Sequence, residues 1–446
     1  MSRKLKDCID FDGLQIAWVG SGGKTTLMFT IARQLLTKCV LTTTTHLAKT
    51  EQKLADQMIL FEKQKVYDDE TLASIIGEGL TLICGGISIE NTEKLDPLTE
   101  QQLESISNYC RKNGITLMIE ADGSRQKPIK APANHEPAIP NFIDMVCVVI
   151  GIKAIGKPAT TDNIHRLKIF SEVTGIIENE VITEEHIFKY LTHPLGGLKN
   201  ILPGTKTILF LNQADTWLWG NTLYHYGKKF KHHFSQTIIS YTNSIEQDIT
   251  ILASFTKIGC VILAAGEAKR FGSPKQLAKW NGLTLLEHVI QNARKADLNP
   301  LLVVTGAYHN ELVTILQANK IEFKFNPDWS SGQASSVRVG VQHFSQSTKA
   351  IIFLLVDQPQ IPKDLIIDLE IEFAKSGERI IAYSFHNQIR HPVLFSSELF
   401  EEMSNLVGSS GGRQLFSLYP PRTIELLNPF HAKDIDSEDD LRSFDL

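Results

Sequence analysis

Two short stretches carry residue types that handle phosphate. In IGCVILAAGEAKRFGSPKQL, residues 258–277, an apolar run stops at a glycine and a loop follows with two spaced cations, Arg270 and Lys275. Leu263 closes the run, and Ala264, Ala265 and Gly266 leave the backbone bare, so an anion can approach amides arranged as a concave turn. Arg270 can fork onto phosphate oxygens, and Lys275 can place a mobile point charge on a reacting phosphoryl group, which gives each cation type a use. Charge spacing alone also fits a loop whose cations face water. The second stretch, LQIAWVGSGGKTTLMFTIARQLL, reads as strand, glycine loop, amphipathic helix. Amides of Gly20, Gly22, Gly23 and the residues after them would converge with the helix N-terminus on one ligand. Lys24 would reach β- and γ-phosphates and Thr25 a Mg²⁺ ion, with Thr26 completing the motif. The strict GxxxxGK[ST] spacing fails because Trp18 stands at the first glycine; the shorter GxxGKTT fits.

Carboxylates end several apolar runs. IIFLLV leads into Asp357, and a carboxylate at the C-terminal edge of a parallel strand lies where α/β sheets bind ligands. Mg²⁺, or Mn²⁺, takes one or two carboxylates plus phosphate oxygens. The second ligand is open between Asp434 and Asp436 in DIDSEDD, whose remaining acids read as a solvated helix cap. TLMIEADGS ends in Glu120 and Asp122, placed to hold Mg²⁺ or its water. TILFLNQAD ends in Asn212 and Asp215, spaced like the NKxD base reader of GTPases, with Gln213 in place of the lysine. His46 after VLTTTT meets phosphate or closes a turn. Lys127, Lys130 and His135 lie in KPIKAPANHEP, whose prolines imply a constrained loop, and KKFKHHF, with His232 and His233, reads as a basic helix face rather than a metal site.

These residues need sheets to hold them. Short β-branched runs alternate with longer amphipathic segments through the chain, the pattern of βαβ units and mostly parallel sheets, so the fold class is α/β. With 446 residues, two α/β domains are expected, 1–255 and 256–446, because the series restarts after TNSIEQDIT without a Gly/Ser linker. Hydrophobic residues at 42% and charged ones at 21% are ordinary for globular protein, and a formal charge of -5 supplies no general pull toward nucleic acid or anionic membrane. The six cysteines form no CxxC pair and several sit in apolar runs, which reads as buried free thiols in a reducing compartment. No signal peptide opens the chain and no apolar run reaches membrane-spanning length, so a cytoplasmic location is expected.

The second half resembles a nucleotidyltransferase family that includes molybdenum cofactor cytidylyltransferase and its guanylyl relative. LAAG with RFGSPKQL matches LAAGxSxRxGxxK, and NPDWSSGQASSVRVGV, IFLLVDQPQIP, RHPVLF and AKDIDSEDDL follow in the family's order. The resemblance implies a Rossmann-like, GT-A type domain of MobA/MocA kind that transfers a nucleotidyl group from CTP to the molybdopterin cofactor. Arg270, Lys275 and Asp357 would be catalytic. Residues 263–266 with Gly332 would bind nucleotide, and Ser336, His391 and Arg413 the acceptor, although a His before Pro in a strand is as often a packed structural residue. Three positions depart from the pattern. Ala268 replaces a loop serine, Arg390 stands where GHPVLF has glycine, and Ser409 in GSSGGRQL takes an acidic position. LAAG favours cytosine over the LAGG of the guanylyl branch.

The first half, through GSGGKTT, TTTTH, EADGSRQKPIKAPANHEPAIP, HRL and LNQAD, resembles the YqeC-type accessory proteins of selenium-dependent hydroxylases over about residues 10–250. That implies a P-loop-like, three-layer domain taking ATP or GTP, of open NTPase activity, that serves an apo molybdenum hydroxylase. The alternatives are a guanylyl or other nucleotidyltransferase with a different phosphate acceptor, and a chaperone that carries finished cofactor.

Overall fold

The computed structural model describes residues 3–35, 38–123, 127–215, 220–243 and 248–444; the SRQ of the EADGSRQ motif and the SIEQ of TNSIEQDIT lie outside these. The chain separates into two compact units, Met1–Phe255 and Thr256–Leu446.

The first unit is built on a nine-stranded sheet. Its strands are β1 (Gln15–Gly20), β2 (Cys39–Thr43), β3 (Gln57–Leu60), β4 (Leu80–Cys84), β5 (Thr116–Glu120), β6 (Met145–Gly151), β7 (Lys206–Asn212), β8 (Gln236–Asn243) and β9 (Asp248–Thr256). They lie in the order β9-β8-β7-β6-β1-β5-β2-β4-β3, and the pairs on either side of β1 are parallel. A strand covered on both faces must be apolar at every position, and β6, MVCVVIG, is buried throughout. Successive side chains of β5 serve different layers. Met118 joins a core with Leu27, Met28 and Ile31 of the helix Lys24–Gln34. Leu117 and Ile119 join another with Leu103, Ile106 and Cys110 of the helix Glu100–Lys112. Trp18 is fully buried between Phe11 and Phe210, so the position at which a longer glycine loop would begin is core instead.

The second unit carries a seven-stranded sheet: β10 (Ile258–Ala264), β11 (Leu301–Thr305), β12 (Glu322–Phe325), β13 (Ala350–Leu355), β14 (Ile380–Phe385), β15 (Gln388–Ser396) and β16 (Arg422–Glu425), ordered β12-β11-β10-β13-β15-β14-β16. β10 is parallel to both neighbours, whereas β15 runs antiparallel to β13 and β14. Cys260 and Ile262 pack toward the helix Leu285–Lys295. Val261 packs toward Val337 and Val341 of the helix Gln333–Phe344. A methyl group on Gly340 would lie 2.8 Å from Val261, so the missing side chain lets that helix approach β10 and carry its first turn to the sheet edge.

All six cysteines are free thiols; Cys8 is half-buried and the others are buried. Among the described residues no helix is long and apolar enough to cross a membrane.

Candidate active site

Because β10 and β13 are parallel, their C-terminal ends meet at one edge, where a cavity of about 500 Å³ opens. Its walls are residues 263–269, Lys275 and Gln276, the first turn of the helix Gln333–Phe344, Trp329, and residues 355–357. The backbone amides of Gly266, Glu267 and Ala268 find no acceptor within the described chain. A methyl group on Gly266 would meet nothing within 4 Å, so the space over this backbone is open. Gln276, a residue the sequence did not single out, fixes the loop: its buried amide donates to the carbonyls of Ala264 (3.0 Å) and Gly266 (2.8 Å). Gly332 caps the helix with φ 115°, and a Cβ there would come 2.4 Å from the Gly408 carbonyl oxygen. Bare amides and a helix N-terminus at one cavity favour an anion. Ser336 lines the same wall, its hydroxyl accepting from the Asn326 amide at 2.9 Å.

The charges gather at Asp357. Lys275 Nζ lies 3.0 Å from Asp357 Oδ2 and 3.4 Å from Asp436 Oδ1, and the exposed Arg270 reaches Asp436 Oδ2 at 3.0 Å. Asp357 Oδ1 is buried with no hydrogen-bond partner. Asp434 takes a hydrogen bond from Gln358 at 2.7 Å; burial, then the neighbouring Asp357, pushes its carboxyl above the usual range. Two carboxylates gripping one ammonium, with a buried oxygen left over, suit a hard cation that completes its shell with phosphate and water. Among the described residues no group of three or more His, Cys, Asp or Glu is arranged to hold a metal alone. The acids after Asp436 cap a helix, as Ser437 and Asp440 exchange hydrogen bonds at the start of Glu438–Ser443.

The structure thus brings residues 263–266, Gly332, Ser336, Lys275 and Asp357 to one cavity and ties Arg270 and Asp436 to its charged corner. His391 and Arg413 stand outside the cavity wall. The His391 ring is buried within a half-buried residue, and burial, then the Arg413 charge, lowers its pKa to about 4.

In the first unit the glycine loop is occupied by the chain's own groups. Gly20, Gly22 and Gly23 all have positive φ, and the helix starts at Lys24. The Lys24 ammonium, 1% exposed, pairs with Glu120 at 2.6 Å and Asp122 at 3.4 Å. Thr25 donates to Glu120 at 2.9 Å, and the Gly20 amide donates to both Asp122 oxygens, at 3.1 and 3.0 Å. Thr26 is exposed. The expected reach of Lys24 toward phosphates is therefore replaced here by carboxylate contacts. Asn212 and Asp215 have partners within the chain. Asn212 is fully buried and donates to the Gly22 carbonyl at 3.0 Å, because β6 alone separates β7 from β1 and brings the end of β7 against the loop. Asp215 pairs with Lys153 at 3.0 Å. His46 pairs with Asp96.

Two further features of this unit were not legible as site residues. Lys130 bridges Asp122 (3.1 Å) and Glu136 (2.9 Å), and Arg166 joins Glu136 at 2.7 Å. Glu51 has a buried Oε2 without a partner; burial, then Glu120, pushes its carboxyl up to about 8.

Comparison with known proteins falls on the same division. The family described as "YqeC protein" matches residues 16–168, and the "MobA-like NTP transferase domain" matches residues 260–424. The chain is 29% identical to "Uncharacterized protein YqeC" of Escherichia coli (strain K12), over 44% of this chain and 75% of that protein. It is 28% identical to the "Molybdenum cofactor cytidylyltransferase" of the same organism, over 41% of this chain and 93% of that protein. It is also 28% identical to "Nicotine blue oxidoreductase" of Paenarthrobacter nicotinovorans, over 38% of this chain and 85% of that protein.

Proposed function

We propose that this chain, which joins a YqeC domain to a MobA-like NTP transferase domain and is a nucleotidyltransferase of the EC 2.7.7 class, transfers the cytidylyl group of CTP to the molybdopterin cofactor. The observation that supports this reading best is the cavity where unpartnered amides, a helix N-terminus and Lys275 meet Asp357. In this reading an oxygen of the acceptor's phosphate attacks the α-phosphorus, and pyrophosphate leaves with the electron pair of the broken bond. The attacking phosphate is already ionised, so alignment and charge neutralisation carry the rate and no proton acceptor is required. Amides 266–268 cradle the triphosphate, and Lys275 and Arg270 follow the charge that develops on pyrophosphate. Asp357, with Asp434 or Asp436, would hold Mg²⁺ or Mn²⁺, which supplies further charge neutralisation when bound. LAAG at residues 263–266 supports cytosine over guanine.

For the first unit we infer a P-loop-like nucleotide site, for ATP or GTP, in an accessory role toward an apo molybdenum hydroxylase. Release of the Lys24 ammonium from Glu120 and Asp122 would accompany binding there. One experiment tests both readings: the full chain is given each of the four nucleoside triphosphates, with and without molybdopterin, and pyrophosphate and inorganic phosphate are measured. Pyrophosphate only from CTP plus molybdopterin is expected. Equal release from GTP would replace cytidylyl by guanylyl transfer, and no release in any mixture would sink the transferase reading of this acceptor.

A further inference from the structure

The last ladder pair between β13 and β15 is Phe353 with Val393. Beyond it the pairing stops, and His391 and Arg390 follow on β15 as β13 runs on toward Asp357. Arg390 donates through Nη2 to Gln388 Oε1 at 2.7 Å, a contact two residues away that ties no other element down. Its Nε is buried and has no acceptor. Removing a guanidinium N–H from water without a partner is costly, and such a donor in a native fold calls for an explanation. Its neighbour repeats the pattern. His391 Nδ1 is buried and has no hydrogen-bond partner. Burial, then Arg413, lowers the pKa of this ring to about 4, so at neutral pH it is uncharged and Nδ1 can present a lone pair. The strand β13 that pairs with β15 at Phe353 ends at Leu355, and residues 355–357 form part of the cavity wall, so the corner lies beside the reacting centre.

We propose that this corner seats the acceptor, with Arg390 Nε–H taking an oxygen of its phosphate monoester and His391 Nδ1 taking an N–H or O–H of the same molecule. The proposal rests on the nucleotidyl-transfer reading and deepens it. Arginine suits the task because its planar fork holds phosphate oxygens in a fixed direction and stays charged throughout. It exchanges no proton: one phosphate oxygen forms the new bond to the α-phosphorus while another remains on Arg390. The arginine that stands in place of the glycine of GHPVLF becomes a determinant of which acceptors bind.

The test compares full-length Arg390→Gly and Arg390→Lys with the unaltered chain. Arg390→Gly is expected to raise the KM for molybdopterin at least 10-fold and leave the KM for CTP and the thermal midpoint unchanged, and Arg390→Lys to recover part of the loss. Inorganic phosphate should compete with molybdopterin in the unaltered chain and lose potency by a similar factor in Arg390→Gly. An unchanged acceptor KM, or two KM values that rise together, would overturn the proposal. Should the unaltered chain transfer nothing to molybdopterin, calorimetry with inorganic phosphate on CMP-saturated protein separates the two failures. Phosphate binding lost in Arg390→Gly upholds the anion seat even as the named reaction falls, and equal binding in both proteins removes the seat as well.

Discussion

Side chains added at Gly266 probe the nucleotide cradle without disturbing the fold, since its backbone is not left-handed and the space over it is empty. Gly266→Val should fold with an unchanged thermal midpoint and raise the KM for nucleotide at least 10-fold; a normal KM would show that triphosphate does not lie over this loop. Lys275→Ala should lower kcat by roughly 10²-fold, the scale for one preorganised donor to developing charge. The same variant carries a second signature. Lys275 is the cation that Asp357 and Asp436 share, so its removal should tighten Mn²⁺ binding measured without nucleotide. Weaker Mn²⁺ binding would mean that those carboxylates do not form the cation seat. Residues such as Lys275 and Asp357 were legible because each ends or follows an apolar run within one motif. Gln276 and Glu51 were not, because their meaning lies in atoms from other strands and in which polar groups burial leaves unpaired; Arg390 stood out only as a departure from GHPVLF.

At the level of elements, apolar runs such as MVCVVIG and AIIFLL announced buried parallel strands, since only a strand covered on both faces is apolar at successive positions. Strand order and direction were hidden. That β15 returns antiparallel beside β13, and that β7 lies close enough to β1 for Asn212 to grip the glycine loop, depends on pairings between segments far apart in the chain. The loop's own construction can be tested. Gly22 has φ 77°, and a methyl group there would fall 2.0 Å from the backbone nitrogen of Gly151, on a strand buried throughout. Neither a positive φ nor backbone overlap can be relieved by a rotamer change. Gly22→Ala should therefore destabilise the first unit by about 3 kcal/mol or more, in contrast to Gly266→Val, which should leave stability unchanged. A thermal midpoint within a degree of the unaltered chain would show that β1 and β6 are not packed as closely as described.

Across the whole molecule only Lys257 separates the last strand of one sheet, Asp248–Thr256, from the first strand of the other, Ile258–Ala264. Particular buried ion pairs give the chain a site-specific response to acid. Glu136 is the clearest of these. Burial alone would raise its carboxyl, but hydrogen bonds from Arg166 and Lys130 outweigh that and bring it down to about 2. A carboxyl held below its unfolded value of 4.5 stabilises the fold fully above that pH, and the contribution disappears as pH falls through 4.5 toward 2. The size is roughly 3 kcal/mol at neutral pH. Glu136→Gln keeps the shape and removes the charge, leaving Lys130 and Arg166 with a neutral partner and Asp122 as the remaining acid on Lys130. The variant should melt several degrees lower than the unaltered chain at pH 7, and the gap should narrow steadily between pH 4.5 and 2. A gap that stays constant with pH would mean that Glu136 contributes shape rather than charge to the network behind the glycine loop.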